Sequence, residues 1–362
     1  MHSEYKKLMR KCINLAKKSE GRVSPNPLVG AVIFDDDFRI IAKGRHEKYG
    51  SNHAERNAIL SAKEDLKGKS LIVNLEPCCH YGKTPPCCDF IIESGIKRVI
   101  IGMTDPNPIV SDRGIQKLKA AGIEVITGVL EAECRKLNEI FIKNQLKNQP
   151  FVTIKTAITL DGKIASKTGS SKWITDEYSR GLVQKLRNKY DAILTSSSTV
   201  IKDNPHLTCR MKNGRNPVRV VIDTNLSCPS DSNIFKNDTA RVIVVTALKE
   251  GFGKYPQNVE FITVPLRNGH VDLVEAVKLL YNEGIRSILV EAGAVLNNAF
   301  IQEKIADSLI QFAAPKIIAD KEAIGFAQGC HRNEISECNN LIITSTRKLK
   351  NDIIIESDFL YS

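Results

Sequence analysis

The chain has 362 residues, 42% of them hydrophobic and 26% charged, with a formal net charge of +11. That length exceeds the usual domain of about 100 to 200 residues and points to two domains. No stretch approaches the roughly 18 apolar residues of a membrane helix, which excludes a membrane span. The charge favours anionic partners, yet residues 1 to 150 hold 25 Lys and Arg against 18 Asp and Glu (+7) and the remainder 27 against 23 (+4), with no basic tail or stripe.

Residues 1 to 7 run straight into an amphipathic pattern without the apolar stretch of a signal peptide, so a cytoplasmic protein is expected. Tyr5, Leu8, Cys12, Leu15 and Ala16 recur at helical spacing over 5 to 16. Pro25-Asn26-Pro27 breaks that pattern before an apolar run over 28 to 34, which reads as a buried strand. A strand over 39 to 44 follows the turn Asp35-Asp36-Asp37. Then come a helix from 53, a strand over 70 to 75 and a helix from about 86. Strands near 97 to 102 and 123 to 126 alternate with helices near 112 to 121 and 131 to 147. This order predicts one sheet between two helix layers.

A polar segment over 143 to 149 ends at Pro150, and an alternating strand over 151 to 158 opens a second α/β pattern. The domains are therefore placed at 1–148 and 149–362. The second holds strands near 190 to 195, 217 to 222, 241 to 246, 259 to 264 and 286 to 290. Its helices fall near 176 to 187, 271 to 282 and 295 to 303, and a terminal hairpin joins 341 to 345 with 352 to 355. There is no internal repeat.

Ten cysteines in a reducing compartment argue against a disulfide framework, and Cys78, Cys79, Cys87 and Cys88 crowd into eleven positions. Three features coincide with them. His53-Ala54-Glu55 opens a predicted helix, Glu76-Pro77-Cys78 follows a predicted strand, and Cys87 begins the next helix. Each is weak alone, since a lone His or Cys is most often a packing residue. In this order they match the zinc deaminase signature, in which one His and two Cys hold the metal and a Glu moves protons. Catalytic zinc needs three protein ligands and a fourth position for water, whose pKa it lowers towards about 7. His53, Cys78 and Cys87 supply three, with both thiolates expected at helix starts where the dipole favours them. Glu55, on another side of its helix, stays free as the proton shuttle. Eight residues separate the two cysteines instead of two, so Cys79 and Cys88 are rival ligands by spacing alone.

The loop P-C-C-H-Y-G-K-T-P-P-C-C resembles the long zinc loop of the bifunctional deaminase-reductase of riboflavin biosynthesis. The likeness extends over Pro25-Asn26-Pro27-Leu28-Val29-Gly30, Gly44-x-His46 and Asp105-Pro106-Asn107-Pro108, and covers nearly the whole chain. It implies a three-layer α/β/α cytidine-deaminase-like domain followed by an α/β domain similar to dihydrofolate reductase. By resemblance the zinc ligands are His53, Cys78 and Cys87, with Glu55 as proton shuttle. Asn26, His46, His80 and Lys83 fall at positions that the family uses around the pyrimidine and its ribose phosphate.

No G-x-G-x-x-G fingerprint follows a strand after residue 151, so a standard dinucleotide site is not expected. Val290-Glu291-Ala292-Gly293-Ala294-Val295-Leu296-Asn297-Asn298 reads as strand, turn and helix start, able to receive a phosphate on free amides or simply to turn the chain. Asp161 in Thr159-Leu160-Asp161-Gly162-Lys163 is a further candidate. Arg187 and Arg210 suit phosphate or a solvated surface equally, and Trp173, the only tryptophan, reads as a core residue. The resemblance assigns the NADPH site to Ala157, Trp173, Thr199, Asp203 and Thr224, with the turn from Gly293 through Ala294, Val295, Leu296, Asn297 and Asn298 to Ala299 cradling phosphate. It assigns the substrate side to Ser171, Arg187, Leu207, Arg210 and Glu291. The stretch 325 to 340 departs from the family pattern.

The resemblance implies two successive reactions on one small phosphorylated pyrimidine. The first is zinc-dependent deamination of 2,5-diamino-6-ribosylamino-4(3H)-pyrimidinone 5′-phosphate. The second is NADPH-dependent reduction of the ribosyl side chain to ribityl, with Asp161, Lys155 and Glu291 as candidate acids. It also implies a homo-oligomer, dimer or tetramer. A deaminase of bases within nucleic acid would need a basic or aromatic stripe that the sequence lacks, and a merely structural zinc would leave Glu55 without a role.

Overall fold

Helix α1 (His2–Lys17) turns Tyr5, Leu8, Met9, Cys12, Ile13 and Ala16 to one side and buries them, as the spacing of a 3.6-residue helix dictates. It belongs to the first of two units, Met1–Asn148 and Gln149–Ser362, in a computed structural model that describes residues 2–79, 85–107, 111–236 and 240–361. The first unit is a five-stranded sheet of β1 (Gly30–Phe34), β2 (Ile40–Arg45), β3 (Ser70–Leu75), β4 (Arg98–Met103) and β5 (Glu124–Ile126), in the order β2-β1-β3-β4-β5. β1 runs antiparallel to β2 and β3, whereas β3, β4 and β5 are parallel. β1 and β3 are buried along their whole length, which is why β1 reads as an unbroken apolar run and β3 is apolar but for Ser70 and Asn74.

The helices are α2 (Ala54–Leu60), α3 (Cys87–Glu93), α4 (Arg113–Ala120), α5 (Glu131–Leu137) and α6 (Glu139–Lys147). Two glycines fix the layers. A Cβ on Gly30 would lie 2.2 Å from the Cys12 carbonyl of α1, and one on Gly44 would lie 2.1 Å from the Ala54 carbonyl of α2. Gly44 pairs with Ala31, not Gly30. In a strand neighbours face opposite ways, so α1 and α2 cover opposite faces of the sheet.

The second unit holds β6 (Phe151–Thr159), β7 (Lys163–Ala165), α7 (Glu177–Lys189), β8 (Ala192–Ser196), α8 (Ser197–Asp203), β9 (Val218–Ile222), α9 (Asn233–Lys236), β10 (Val242–Thr246) and β11 (Val259–Thr263). There follow β12 (Leu266–Arg267), β13 (His270–Val271), α10 (Leu273–Asn282), β14 (Ser287–Val290), α11 (Ala294–Gln302), β15 (Ser308–Ala314), β16 (Ile324–Gly325), β17 (Asn340–Leu349) and β18 (Asp352–Leu360). Nine strands form one sheet in the order β11-β10-β9-β8-β14-β6-β15-β18-β17, parallel from β11 to β15 and antiparallel beyond. From β8 the chain goes on to β9, β10 and β11 on one side, while β14 lies on the other beside β6. In a parallel sheet such a reversal opens a crevice at the carboxyl ends of the strands.

Several elements differ from the sequence pattern. The helix expected over 131 to 147 is two, α5 and α6, because Asn138 between them turns its side chain away to hold Leu28. The strand expected from 28 begins at Gly30. β15, an interior strand of the sheet, escapes the pattern because Gln311, Ala313 and Ala314 dilute its β-formers, and α8 is hidden by three successive serines of low helix propensity. Trp173 is not core: 64% of it is exposed, with the Arg180 guanidinium 4.5 Å from its ring centroid.

Candidate functional site

In the first unit the ends of β1, β2 and β3 and the starts of α2 and α3 converge. His53 is the extended residue before α2, Cys78 lies in the loop after β3, and Cys87 is the first residue of α3. The His53 Nδ1 stands 3.5 Å from the Cys78 Sγ and 3.3 Å from the Cys87 Sγ. The three donor atoms lie within 4.8 Å of one another, the one such group among the described residues. Tetrahedral zinc with Zn–S of about 2.3 Å and Zn–N of about 2.0 to 2.1 Å sets neighbouring donors roughly 3.6 to 3.8 Å apart. One imidazole and two sulfurs at these separations fit that ion.

Hydrogen bonding from the Cys87 thiol, opposed by burial and joined by His53 and the Cys87 amide, holds Cys78 down at about 4. Of the two cysteines expected at helix starts, Cys87 alone stands at one, and there the hydrogen bond to Cys78 and then burial push its thiol up, not down. Cys78 begins no helix, and the Cys87 amide 3.4 Å from its sulfur takes the place of the dipole. Neither Cys79 nor Cys88 joins the group. Cys88 is buried, and its thiol points to the carbonyls of Pro77 at 3.3 Å and Gly114 at 3.7 Å.

Glu55 is 3% exposed, and its Oε2 has no hydrogen-bond partner among the described residues. Burial raises its pKa to about 7 against the opposing pull of His53, with the Cys78 charge adding to the rise. A buried carboxyl with a vacant oxygen, near neutrality, is suited to gaining and losing a proton.

Around this centre, two buried asparagines hold the loop of Asn26. Asn74 accepts from the Gly30 amide at 2.7 Å and donates to the Leu28 carbonyl at 2.9 Å, while Asn138 accepts from the Leu28 amide at 2.8 Å. Asn26 in turn faces His46, Nδ2 to Nε2 at 3.1 Å, and the His46 ring stands edge-on to His53. Asn26 and His46 thus reach the metal centre, while His80 and Lys83 lie outside the described residues. Asn74 and Asn138 were not singled out by sequence, and Glu76 only as part of Glu76-Pro77-Cys78 with no role of its own, because a buried polar side chain serving backbone leaves no spacing pattern.

In the second unit an 810 Å³ cavity opens at the carboxyl ends of β6, β8, β9 and β14. Ala157, Ser171, Trp173, Arg187, Thr199, Asp203, Leu207, Thr224, Glu291, Gly293, Ala294, Val295, Leu296 and Ala299 line it. Three expected residues do not. Arg210 is exposed, its amide bonded to the Gln184 side chain. Asn297 is fully buried and donates to the Phe326 carbonyl at 2.9 Å, and Asn298 accepts from Gln302. Asn297 thus ties α11 to the segment after β16, while the Asn298 bond stays within α11. Arg267, Asn268 and His270 also line it, on a hairpin whose two-residue turn Asn268-Gly269 has φ of 53° and 78°. That Asn-Gly pair was the sequence signal for the turn.

Glu291 collects the charge in the cavity. Arg187 reaches it twice, at 2.9 and 3.1 Å, and the Lys155 Nζ at 3.4 Å. Burial pushes its pKa up, but Arg187 and then Lys155 outweigh that and hold it at about 2. Asp161 stands outside the cavity lining. Hydrogen bonds from Thr159 and from the amides of Ala319 and Ile318 hold it near 2 as well.

Comparison with known proteins finds a family match for each unit. The family described as "RibD C-terminal domain" matches residues 150–355, and the "Cytidine and deoxycytidylate deaminase zinc-binding region" matches residues 2–103. The chain is 42% identical to the riboflavin biosynthesis protein RibD of Actinobacillus pleuropneumoniae, over 96% of this chain and 93% of that one, and 38% identical to that of Escherichia coli, over 88% and 89%. It is similar to the crystal structure of a diaminohydroxyphosphoribosylaminopyrimidine deaminase/5-amino-6-(5-phosphoribosylamino)uracil reductase from Thermotoga maritima, with TM-score 0.89, 44% identity and 99% of each chain covered. RibD of Acinetobacter baumannii gives TM-score 0.88 at 32% identity, with 100% of each chain covered. With a relative more than 30% identical over almost its full length, and a domain match spanning more than half of it, the chain belongs to the RibD family of bifunctional deaminase and reductase enzymes of riboflavin biosynthesis.

Proposed function

We propose that the first unit deaminates 2,5-diamino-6-ribosylamino-4(3H)-pyrimidinone 5′-phosphate and that the second reduces the ribosyl side chain of the product to ribityl. The observation that carries this reading is the meeting of His53, Cys78 and Cys87 beside the buried, half-unpartnered carboxyl of Glu55. These three residues hold zinc, whose Lewis acidity makes water a nucleophile at neutral pH. Glu55 moves the protons: its vacant oxygen takes one from the attacking water, then passes protons to the ring nitrogen and to the departing ammonia. Asn26 and His46 orient the pyrimidine.

In the second unit NADPH supplies a hydride. Ala157, Trp173, Thr199, Asp203, Thr224, Gly293, Ala294, Val295, Leu296 and Ala299 line the cavity and would hold it, with Ser171, Arg187, Leu207 and Glu291 left for the ribose end of the substrate. Opening the ribose ring to the imine that accepts hydride at C1 requires a proton on the ring oxygen. Of the candidate acids, Glu291 is held ionised and Asp161 is turned away, which leaves the Lys155 ammonium as donor and Glu291 as the group that positions it.

A small phosphorylated pyrimidine suits the dispersed charge better than a nucleic acid does. No helix among the described residues is long and apolar enough to cross a membrane. Free thiols at all ten cysteines support a reducing, cytoplasmic setting. The edge strand β17 exposes Leu341, Ile342 and Ile343, a surface that a second copy would cover, which supports a homo-oligomer. Supplying the diaminopyrimidinone phosphate and following ammonia and NADPH separately tests the reading. Ammonia should appear without NADPH, and NADPH oxidation should follow. Oxidation of NADPH with no ammonia released would contradict the order.

A further inference from the structure

Beside the metal centre stands a carboxylate that the proposed chemistry does not use. Glu76 is 4% exposed, and the partners of its carboxylate among the described residues are backbone amides, not a cation. Its Oε2 accepts from the amides of Asp105 at 3.0 Å and Asp112 at 3.1 Å, and its Oε1 from those of Gly114 at 2.9 Å and Ile115 at 3.3 Å. Four backbone donors from two segments, the turn after β4 and the start of α4, thus converge on one side chain two residues before Cys78.

The neighbouring contacts show what this convergence holds. A Cβ on Gly114 would lie 2.2 Å from the Pro77 carbonyl, so α4 begins in direct contact with the loop that carries Cys78. The Cys88 thiol, buried one residue after Cys87, points to the carbonyls of Pro77 and Gly114, and the Cys88 amide donates to the Cys78 carbonyl at 3.1 Å. Pro77 is therefore gripped between α4, fastened by Glu76, and α3, which presents Cys87.

We infer that Glu76 is a positioning residue for the metal centre: by fastening the start of α4 against Pro77 it fixes the separation of the Cys78 and Cys87 sulfurs and so sets how tightly zinc is held. Glutamine keeps the size but replaces one acceptor oxygen by an NH₂ group that faces amide donors, so two of the four hydrogen bonds are lost and a donor is left against donors. Supporting groups of this kind are worth 10- to 100-fold in metal affinity. The inference rests on the reading that His53, Cys78 and Cys87 hold zinc.

The test is zinc affinity of the full chain, measured by competition with a chromophoric chelator. Glu76→Gln should bind zinc 10- to 100-fold more weakly, with a faster release rate, while NADPH affinity of the second unit stays unchanged. Asn138→Ala, which loosens the Leu28 loop but not the ligand loop, serves as a control for general destabilisation and should keep its affinity within about twofold. Should Glu76→Gln fail to fold, Cys88→Ala removes only the sulfur tie and should lose affinity several-fold. Its cobalt(II) form should still show a charge-transfer band with the intensity of two thiolates. Wild-type affinity in Glu76→Gln, or in Cys88→Ala where the first variant does not fold, overturns the inference, as does an equal loss in Asn138→Ala. A parent chain that binds no zinc overturns the reading beneath it instead.

Discussion

Arg187 and Glu291 meet side-on, Nε to Oε1 at 2.9 Å and a terminal guanidinium nitrogen to Oε2 at 3.1 Å, a two-point pairing made where both side chains are nearly buried. Such a pair is costly to break from one side, because the surviving charge stays in the cavity wall.

This predicts how the second unit responds to acid. Glu291 has a folded pKa of about 2 against an ordinary 4.5. A carboxyl depressed by folding contributes its full stability above its unfolded pKa and loses it as pH falls through the folded one. Between roughly pH 4.5 and 2 the unit should therefore lose about 3 kcal/mol through this group. In Glu291→Gln that part of the pH dependence should vanish, and stability at pH 7 should be lower by about 3 kcal/mol, since Arg187 and Lys155 are left uncompensated. Denaturant titrations of parent and variant across this range measure both.

Glu55→Gln keeps the shape of the side chain and removes its ability to take up and release a proton. Ammonia release should fall by about 10²- to 10⁴-fold. Zinc content should stay that of the parent, because Glu55 is not among the three converging donors. NADPH oxidation with the deaminated intermediate supplied directly should be unaffected. Loss of zinc together with activity would move Glu55 from proton transfer to ligation.

Chelation should separate the two activities. The three zinc donors all lie in the first unit, whereas the described residues that line the cavity of the second run from 155 to 328. Prolonged treatment with a strong chelator under reducing conditions should abolish ammonia release, and added zinc should restore it. NADPH oxidation on the deaminated intermediate should continue throughout. A parallel loss of both rates would show that zinc also supports the second unit.

The metal centre was legible because each of its parts is a short local motif. His53 and Glu55 sit two apart, and Cys78 and Cys87 follow Glu76-Pro77 and Pro85-Pro86, so the motifs narrowed the centre to these short segments. Spacing could not choose between neighbouring cysteines, since Cys87 and Cys88 differ only in the direction each side chain takes at the start of α3. The cavity was less legible. Asn297 and Asn298 continue the turn that begins at Gly293, yet one helical step carries them from the cavity wall into the core. β15 was hidden for another reason: its place inside the sheet comes from pairing with β6 and with β18, neither adjacent to it in sequence, and not from its own composition.

The contact between Asn26 and His46 yields the last prediction. His46 Nδ1 faces the Asn52 carbonyl at 3.0 Å, which can only accept, so Nδ1 carries the proton. Nε2 is then the bare nitrogen, and it accepts from Asn26 Nδ2 at 3.1 Å, an arrangement that leaves the Asn26 carbonyl oxygen for other partners. Burial first, with the neighbouring His53 adding to it, pulls the His46 pKa below 6.5 and keeps the ring neutral. Nitrogen-detected NMR of the imidazole should report the Nδ1–H tautomer at pH 7. A second proton on Nε2 would put a donor against the Asn26 amide. Because folding lowers this pKa, His46 contributes stability above about pH 6.5 that is lost as pH falls through the folded value. Asn26→Asp should reverse the preference, since a carboxylate beside Nε2 attracts a proton: the His46 pKa should rise above 6.5, the tautomer signal should give way to imidazolium, and ammonia release should fall. An unchanged His46 pKa in Asn26→Asp would mean that the two side chains do not touch in solution.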